Sequence, residues 1–328
     1  MIENKIIYGN SIKKLQKIPD NKINLVYLDP PFFSERSFES FDDKWDSLDQ
    51  YLSFMTEILT QCNRVLKNTG SLYLHCDMHA SHYLKIELDK IFGRKRFQNE
   101  VIWKRHNAHN DTKQGSKMFG RIHDTIFHYT KSKNFTWNPM YDPYPEEYIE
   151  KYYKYVEPKT GRRYALGDVS GPGGASKGNP RYSFLGVTRY YRFSKKKMMQ
   201  MYKDGKIIQR TKGTVPLQKR YLDEMPGIML QDVWNDIKSV QVTKKEDVGY
   251  STQKPLKLLE RIIQISSNEK DLVLDPMCGS GTTLVASQNL GRKFIGIDSN
   301  IEACQIARKR IKERSIPEIE MVEPVLLP

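Results

Sequence analysis

Both ends of this 328-residue chain alternate short apolar runs with helical stripes, and this alternation constrains the fold more than any other feature. In the N-terminal part, INLVYLD (23–29) has the pattern of a buried strand, and residues 49–67 carry apolar side chains at a spacing of about 3.6. SLYLHC (71–76) is again strand-like, and residues 82–92 are again amphipathic. The pattern predicts consecutive βα units.

The C-terminal part repeats the pattern. A helix is predicted over 255–267, a strand over 272–275, a helix from Thr282, a strand over 293–298 and a helix over about 301–314. Because strands that alternate with helices form parallel sheets, both ends of the chain are predicted to build one doubly wound α/β sheet.

The middle of the chain differs in composition and in charge. Residues 104–250 contain 28 Lys and Arg against 15 Asp and Glu, whereas the rest of the chain contains 25 against 24. Glycines and prolines within 166–181 fit no periodic element. The sequence therefore predicts a domain made of 1–103 and 251–328, interrupted by an inserted region, 104–250, of irregular and β structure.

Within this insertion, residues 181–220 combine 12 basic side chains and one acidic side chain with several aromatic rings. Cations neutralise phosphates, and flat rings pack on sugars and bases, so the combination favours a nucleic-acid partner. The alternative is a lysine-rich surface that only contacts solvent. The rings are Tyr182, Phe184, Tyr190, Tyr191, Phe193 and Tyr202.

The sequence also argues against a membrane-spanning, a secreted or a disulfide-linked protein. No apolar run approaches the roughly 18 residues of a membrane span, and the N-terminal segment MIENKIIYGN has no secretory signal pattern. The four cysteines lack CxxC spacing, which indicates reduced thiols and a cytoplasmic setting.

The stretch DPMCGSGTT (275–283) joins a predicted strand to a predicted helix, and Asp298 ends the next predicted strand. Glycines in such a turn allow a ligand to approach the backbone, and an acid after the second strand commonly binds a ribose diol. These residues predict a nucleoside-type cofactor. A phosphate-binding P-loop is disfavoured because the lysine of its GK[ST] element is missing.

The stretch LDPPFF (28–33) directly follows the strand INLVYLD. Together with the downstream LDPMCGSGTT, it resembles the DNA amino-methyltransferases, specifically their circularly permuted β group. The resemblance covers almost the whole chain. It implies a mostly parallel, seven-stranded, Rossmann-like sheet with a target-recognition insertion, S-adenosylmethionine as the cofactor, and duplex DNA as the partner.

The resemblance also implies the site residues. The catalytic loop is Asp29, Pro30, Pro31 and Phe32. STQKP (251–255) is similar to a family element that lines the cofactor pocket, and Asn10 stands where the family often has an acid. The residues expected to bind the cofactor are Asp275, Pro276, Cys278, Gly279, Ser280, Gly281, Thr282, Thr283, Asp298, Gln253, Lys254 and Asn10.

The loop residues have a chemical rationale. The exocyclic amine of adenine is a poor nucleophile because its lone pair is delocalised into the ring. The Asp29 side chain and the Pro30 carbonyl are expected to accept hydrogen bonds from this amine, the two prolines to restrict the loop, and Phe32 to stack on the base. The reacting base must first leave the duplex.

The sequence therefore predicts a site-specific DNA adenine-N6 methyltransferase. Cytosine-N4 methylation, RNA methylation and a catalytically silent nucleic-acid-binding protein stay open as alternatives. Cytosine-C5 methylation is excluded because no Pro-Cys pair supplies the nucleophile. A homodimer, a cognate restriction endonuclease and a prokaryotic cytoplasm are further implications of the resemblance. The stretch HCDMHASH (75–82) is interpreted as a pocket lining, through His75 or Asp77, rather than as a metal site.

Overall fold

The computed structural model describes residues 3–37, 43–107, 117 and 119–312. The strands are β1 (Lys5–Tyr8), β2 (Ile23–Leu28), β3 (Leu66–Cys76), β4 (Phe97–Lys104), β5 (His123–Thr130), β6 (Tyr141–Asp142), β7 (Tyr155–Val156), β8 (Arg163–Asp168), β9 (Arg181–Phe184), β10 (Val187–Tyr190), β11 (Ile207–Ile208), β12 (Leu217–Tyr221), β13 (Ile228–Met229), β14 (Val233–Trp234), β15 (Leu272–Asp275) and β16 (Lys293–Asp298). The helices are α1 (Ser11–Leu15), α2 (Leu48–Val65), α3 (Ser81–Leu88), α4 (Glu146–Tyr152), α5 (Lys195–Lys203), α6 (Val240–Thr243), α7 (Leu256–Ser266), α8 (Thr282–Asn289) and α9 (Ile301–Lys312).

One sheet contains strands from both ends of the chain, as predicted. Its order is β1-β16-β15-β2-β3-β5-β4-β14. The first five strands in this order, β1, β16, β15, β2 and β3, are parallel to their neighbours. Strand β5 runs antiparallel to both β3 and β4, and β14 is parallel to β4. Among the described residues this sheet thus has eight strands, whereas the family resemblance implied seven. The two-residue β14, at one edge of the sheet, is too short to leave a periodic signal in the sequence.

The sheet is covered on both faces beside β2. All six residues of β2 are buried. Val26 and Leu28 belong to the core that the apolar stripe of α2 joins, through Met55 among others. Leu25 and Tyr27 point to the other face by strand alternation and are equally buried. Such burial on both faces is typical of a parallel sheet, and it explains why β2 is apolar without alternation.

Two element boundaries differ from the prediction. Helix α2 ends at Val65 and β3 begins at Leu66, although the helix was expected to reach Lys67 and the strand to begin at Ser71. Leu66 is buried and pairs with Ile23, and the register then shifts before Leu25 pairs with Ser71. The burial of Leu66 outweighs the turn signal of the residues that follow. Helix α3 ends at Leu88, and a single wider turn continues the predicted helix to Gly93.

The chain forms two compact units. The first contains Met1–Pro139 and Gln231–Pro328, and the second contains Met140–Leu230. The second unit is narrower than the predicted insertion, because β4, β5 and β14 place the residues on either side of it in the large sheet. It also contains α4 and α5, which the prediction of irregular and β structure omitted.

The second unit has a core of its own. Its strands form a four-stranded sheet, β11-β12-β8-β7, and two two-stranded sheets, β10-β9 and β13-β6. The buried side chains Phe184 and Tyr191 pack with Met198 and Met201 of α5. In the described parts of the whole chain, no helix has both the length and the apolar character that a membrane crossing requires.

Candidate active site

Two turns that are far apart in the sequence meet at one edge of the sheet. Strands β2 and β15 are parallel neighbours, with Val26 opposite Leu274, so their carboxyl ends lie side by side. Asp29 follows β2 directly, and Asp275 ends β15. Burial raises the pKa of Asp275 to about 7, and the charges of Asp29 and Asp298 contribute in the same direction. The carboxyl ends of adjacent parallel strands are the usual position of a ligand site in such sheets.

The first turn, Asp29–Phe32, is named here the DPPF loop. Oδ2 of Asp29 accepts a hydrogen bond from the Lys254 ammonium, with which it forms an ion pair. Oδ1 of Asp29 is buried and has no hydrogen-bond partner among the described residues. The carbonyl of Pro31 accepts a 2.9 Å hydrogen bond from the Tyr51 hydroxyl, whereas no described residue donates to the carbonyl of Pro30. Two neighbouring acceptors of the loop are therefore unused.

Phe32 is half-buried, and its ring stacks on the imidazole of His75 with 5.9 Å between centroids and 24° between planes. The Lys254 ammonium lies 5.4 Å from the centroid of the same ring. His75 itself is fully buried and is held at Nδ1 by the Tyr27 hydroxyl (2.7 Å) and at Nε2 by Asp124 (3.1 Å). His75 or Asp77 was predicted to line the cofactor or base pocket; His75 is buried in the core and contacts Phe32 from there.

Asp124, the carboxylate bonded to His75, is itself next to a cation. Although burial opposes ionisation, the hydrogen bond from His75 and the nearby Arg105 guanidinium hold the pKa of Asp124 below its usual value. Asp77, the other residue of this stretch predicted to line the pocket, bonds the backbone and the ring of His79. Within the described part of the chain, no cluster of three or more His, Cys, Asp or Glu side chains is arranged to hold a metal ion.

The second turn, Pro276–Gly281, is named here the glycine turn. Gly279 and Gly281 have φ angles of +48° and +77°, which glycine adopts without strain. Arg310 of α9 is buried and donates from Nη1 to the Ser280 carbonyl (2.8 Å), the Ser280 hydroxyl (3.1 Å) and the Thr282 hydroxyl (3.0 Å). The polar side chains of Ser280 and Thr282, both predicted to bind the cofactor, therefore point into the protein.

Other predicted cofactor residues also make internal bonds. The Thr283 hydroxyl donates to Asp275 at 2.5 Å, and the Pro276 carbonyl accepts from Ser11 at 2.6 Å. Cys278 is buried, and burial raises the pKa of its thiol well above the usual value, as do the charges of Asp298 and Asp275. Cys278 is therefore a neutral packing residue.

Asp298 ends β16 beside the glycine turn. Its carboxylate accepts hydrogen bonds from the backbone of Gly279 (2.7 Å) and of Asn300 (2.8 Å), one on each oxygen. Burial nevertheless raises its pKa. The side chain is only partly buried, and each oxygen has a second lone pair. The site thus retains an acceptor for a ribose hydroxyl and fits a nucleoside cofactor.

Two predicted cofactor residues use their polar atoms locally. Asn10 caps α1, with its side-chain oxygen accepting from the backbone of Lys13. Gln253 is buried, donates to the Glu246 carbonyl at 2.7 Å and accepts from the backbone of Val248 at 3.0 Å. Both residues shape loops near the site through these bonds.

Four residues that fix the two turns from behind were not predicted from the sequence: Ser11, Asp43, Tyr51 and Arg310. Arg310 left a signal, because it lies three residues after Ala307 on the buried stripe of α9. A charged residue on an apolar stripe indicates a specific internal partner. No signal in the sequence indicated Asp43, since an acid in an irregular segment is usually exposed.

The second unit carries the predicted positive charge, with 18 Lys and Arg against 9 Asp and Glu in residues 140–230. The Arg181 guanidinium lies 6.0 Å from the Tyr190 ring, opposite it in the β9–β10 hairpin. Lys195, Lys196 and Lys197 are exposed at the beginning of α5. This unit offers cations and rings in the combination that polyanions bind.

Comparison with known proteins is consistent with this geometry. The chain matches the DNA methylase family (N6_N4_Mtase) over residues 23–309. It is 31% identical over 321 residues to the type II methyltransferase M.EcaI of Enterobacter cloacae, covering 94% of this chain and 70% of the relative. It is 29% identical over 307 residues to the DNA adenine methyltransferase YhdJ of Escherichia coli K12, covering 93% of this chain and 82% of the relative.

Among solved structures, the chain is similar to TTHA0409 of Thermus thermophilus, a putative DNA modification methylase determined in complex with S-adenosylmethionine. The TM-score is 0.54 at 15% identity, covering 98% of this chain and 99% of the other. At this identity, the likeness establishes the fold. The predicted α/β methyltransferase fold is confirmed.

Proposed function

Because this chain belongs to the DNA methylase family, we propose that it transfers a methyl group from S-adenosylmethionine to the exocyclic N6 of adenine in duplex DNA. The observation that carries the proposal is the pair of acceptors without a donor among the described residues, Asp29 Oδ1 and the Pro30 carbonyl, in the same loop as the stacked ring of Phe32. An amine with two hydrogens matches two acceptors, and a flat base matches the ring.

The DPPF loop has the parts that this reaction requires. Acceptors on both amine hydrogens favour a pyramidal nitrogen, whose lone pair is then available for attack. Lys254 on Oδ2 fixes the Asp29 carboxylate, so that Oδ1 is presented without rotation. Catalysis then depends mainly on orientation. The adenine must leave the duplex to reach the loop, and stacking on Phe32 offsets part of the cost of unstacking.

The glycine turn and Asp298 hold the cofactor in this proposal. Asp298 binds the ribose, and the backbone around Gly279 lies against the ligand. When bound, S-adenosylmethionine would supply a methyl group from its sulfonium: the C–S bond would break as the N–C bond forms, the sulfur would leave as a neutral thioether, and the proton lost by the amine nitrogen would pass to solvent. The buried thiol of Cys278 has no part in the transfer.

Adenine is proposed over cytosine because an aspartate begins the loop, where family members that methylate cytosine N4 more often have serine. The relative YhdJ, named as an adenine methyltransferase, supports this choice. A silent nucleic-acid-binding protein is disfavoured, since it would have no use for two unused acceptors beside a stacked ring. A homodimer, a cognate restriction endonuclease and the prokaryotic cytoplasm remain predictions of the family resemblance.

The direct test combines purified protein, mixed-sequence duplex DNA and labelled S-adenosylmethionine. After digestion to nucleosides, mass spectrometry identifies the product. N6-methyladenine is the expected result. N4-methylcytosine would retain the DPPF chemistry and reject adenine as the base. If no DNA base carries the label, the assignment to DNA fails and RNA is tested next.

A second test concerns the DNA-binding surface. Lys195 and Lys196 are exposed on the second unit, and their double substitution by glutamine removes two cations. If both contact phosphates, the slope of log K against log salt falls by about 2. The matched control is Lys17→Gln with Lys22→Gln, which neutralises two exposed lysines of the first unit. Equal slopes for parent and variant would move the phosphate contacts to another surface.

A further inference from the structure

Asp43 is an acid buried among the polar atoms of the segment that contains the DPPF loop. Only 1% of the surface of Asp43 is exposed. Its carboxylate accepts hydrogen bonds from three consecutive backbone N–H groups: Phe32 (3.1 Å), Phe33 (3.0 Å) and Ser34 (2.8 Å). Consecutive N–H groups that converge in this way form an anion-binding nest. Here the anion is supplied by the chain itself.

Two side chains complete the coordination of this carboxylate. The Ser34 hydroxyl donates to Oδ2 at 2.6 Å, and the Trp45 indole N–H donates to Oδ1 at 3.2 Å. Phe33, at the centre of the nest, has a φ of +61°. This conformation is unfavourable for a bulky residue, so it persists only where surrounding bonds enforce it.

The consequence for the reactive end of the loop follows from the peptide between Pro31 and Phe32. Its carbonyl is held by the Tyr51 hydroxyl at 2.9 Å, and its N–H is held by Asp43 at 3.1 Å. The plane of this peptide is thereby fixed from both sides. Because the proline rings also restrict φ, the direction of the Pro30 carbonyl and the position of the Phe32 ring depend on the Asp43 contact.

We propose that Asp43 is a positioning residue for methyl transfer: it holds Phe32 and the Pro30 carbonyl in the geometry that receives the target base. The inference rests on the proposed function, since it concerns the same loop. Asp43 acts through backbone groups and touches neither the base nor the cofactor. Its removal therefore affects turnover rather than substrate affinity.

The test is Asp43→Asn, which keeps the size of the side chain. An amide has one acceptor oxygen, and its NH₂ group faces N–H donors of the nest, so hydrogen bonds are lost. We expect kcat to fall by about 10- to 100-fold, because small misplacements of reacting groups have effects of this size. The KM values for DNA and for S-adenosylmethionine are expected to stay at parental levels. The control is Asp46→Asn, an exposed neighbour bonded to Gln50.

A second readout follows the base directly. With 2-aminopurine at the target position, fluorescence reports whether the base leaves the duplex and stacks on a ring. The parent and Asp46→Asn are expected to give the same intensity, and Asp43→Asn a different one. A role limited to stability would lower the melting temperature without changing this intensity or the kcat of the folded enzyme.

The kinetic and fluorescence results decide the proposal. A folded Asp43→Asn with parental kcat and fluorescence overturns it, and so does a rise in KM with kcat unchanged. If Asp43→Asn does not fold, Ser34→Ala replaces it, because this variant removes only one donor at a partly exposed position. A smaller kcat loss at constant KM then supports the proposal, and parental kcat rejects it. An inactive parent would instead reject the proposed function.

Discussion

The DPPF loop and the glycine turn both follow a parallel strand and lie at the same edge of the sheet. They differ in whether their polar groups have hydrogen-bond partners within the protein. In the DPPF loop, Asp29 Oδ1 and the Pro30 carbonyl have no hydrogen-bond donor among the described residues. In the glycine turn, the hydroxyl of Ser280 accepts a hydrogen bond from Arg310, as does the hydroxyl of Thr282 directly after the turn. The first turn thus has acceptors without a donor, whereas the hydroxyl of the second turn has one.

The difference indicates a division of labour. A buried acceptor without a donor costs free energy, so it is retained where a ligand supplies the donor. A turn whose hydroxyl side chain is bonded internally offers a ligand mainly its backbone and a rigid shape. We infer that the DPPF loop acts on the reacting group, whereas the glycine turn provides the shape of the cofactor site.

The largest effect is expected at Asp29. Asp29→Ala removes one of the two unused acceptors and the partner of Lys254. Methyl transfer is expected to fall below detection, while the affinity for duplex DNA stays near the parental value because binding depends on phosphate contacts. Asp46→Ala, at an exposed acid, is the control. Activity in Asp29→Ala near that of the parent would show that the unused acceptors are not the reactive feature of this loop.

A variant of Lys254 distinguishes a role of this side chain in the DPPF loop from a role in binding the cofactor. It was predicted to bind the cofactor, but its ammonium bonds Asp29. Lys254→Met keeps the apolar stem and removes the ion pair. We expect kcat to fall by about tenfold, since an unanchored carboxylate misplaces its acceptor, with the KM for S-adenosylmethionine unchanged.

The control for this variant is Lys257→Met on α7, where the side chain is 66% exposed and pairs with Asp236 on the surface. If Lys254→Met instead raises the KM for S-adenosylmethionine at constant kcat, the residue belongs with the glycine turn as first predicted. That result would also weaken the contrast between the turns, since a residue of the cofactor site would then reach into the DPPF loop.

Four of the eight described strands of the large sheet, β2, β3, β15 and β16, were predicted, because their apolar runs are buried in the centre of the fold. The apolar run 25–28 of β2, followed by Asp-Pro-Pro, has few other interpretations. The same reasoning failed for β14, whose two residues pair at an edge and bear one exposed side chain, Val233. It also failed at Leu66, where tertiary burial rather than local propensity decides where α2 ends.

The site was predictable only where a motif carries its own chemistry. Asp29 and Phe32 follow from the motif, and so does Asp298 at the end of its strand. The partners of these residues do not, because Asp43 and Arg310 are joined to the turns by tertiary structure and have no fixed spacing from them. Motif spacing likewise predicted Ser280 as a cofactor-binding residue, but it could not show that its hydroxyl points inward.

The smallest effect is expected at Arg310, which supports the glycine turn from behind. Arg310→Met keeps much of the buried volume but leaves the Ser280 carbonyl and the Thr282 hydroxyl without this donor, at a cost of about 1–3 kcal/mol for such a buried group. We expect a lower melting temperature and a raised KM for S-adenosylmethionine, because the backbone of the turn is less well fixed. At saturating cofactor, kcat is expected to match the parent, since the DPPF loop is unchanged. Lys309→Met, at the exposed neighbouring position, is the control. A fall in kcat at saturating cofactor would mean that the two turns are coupled, and the division of labour between them would have to be abandoned.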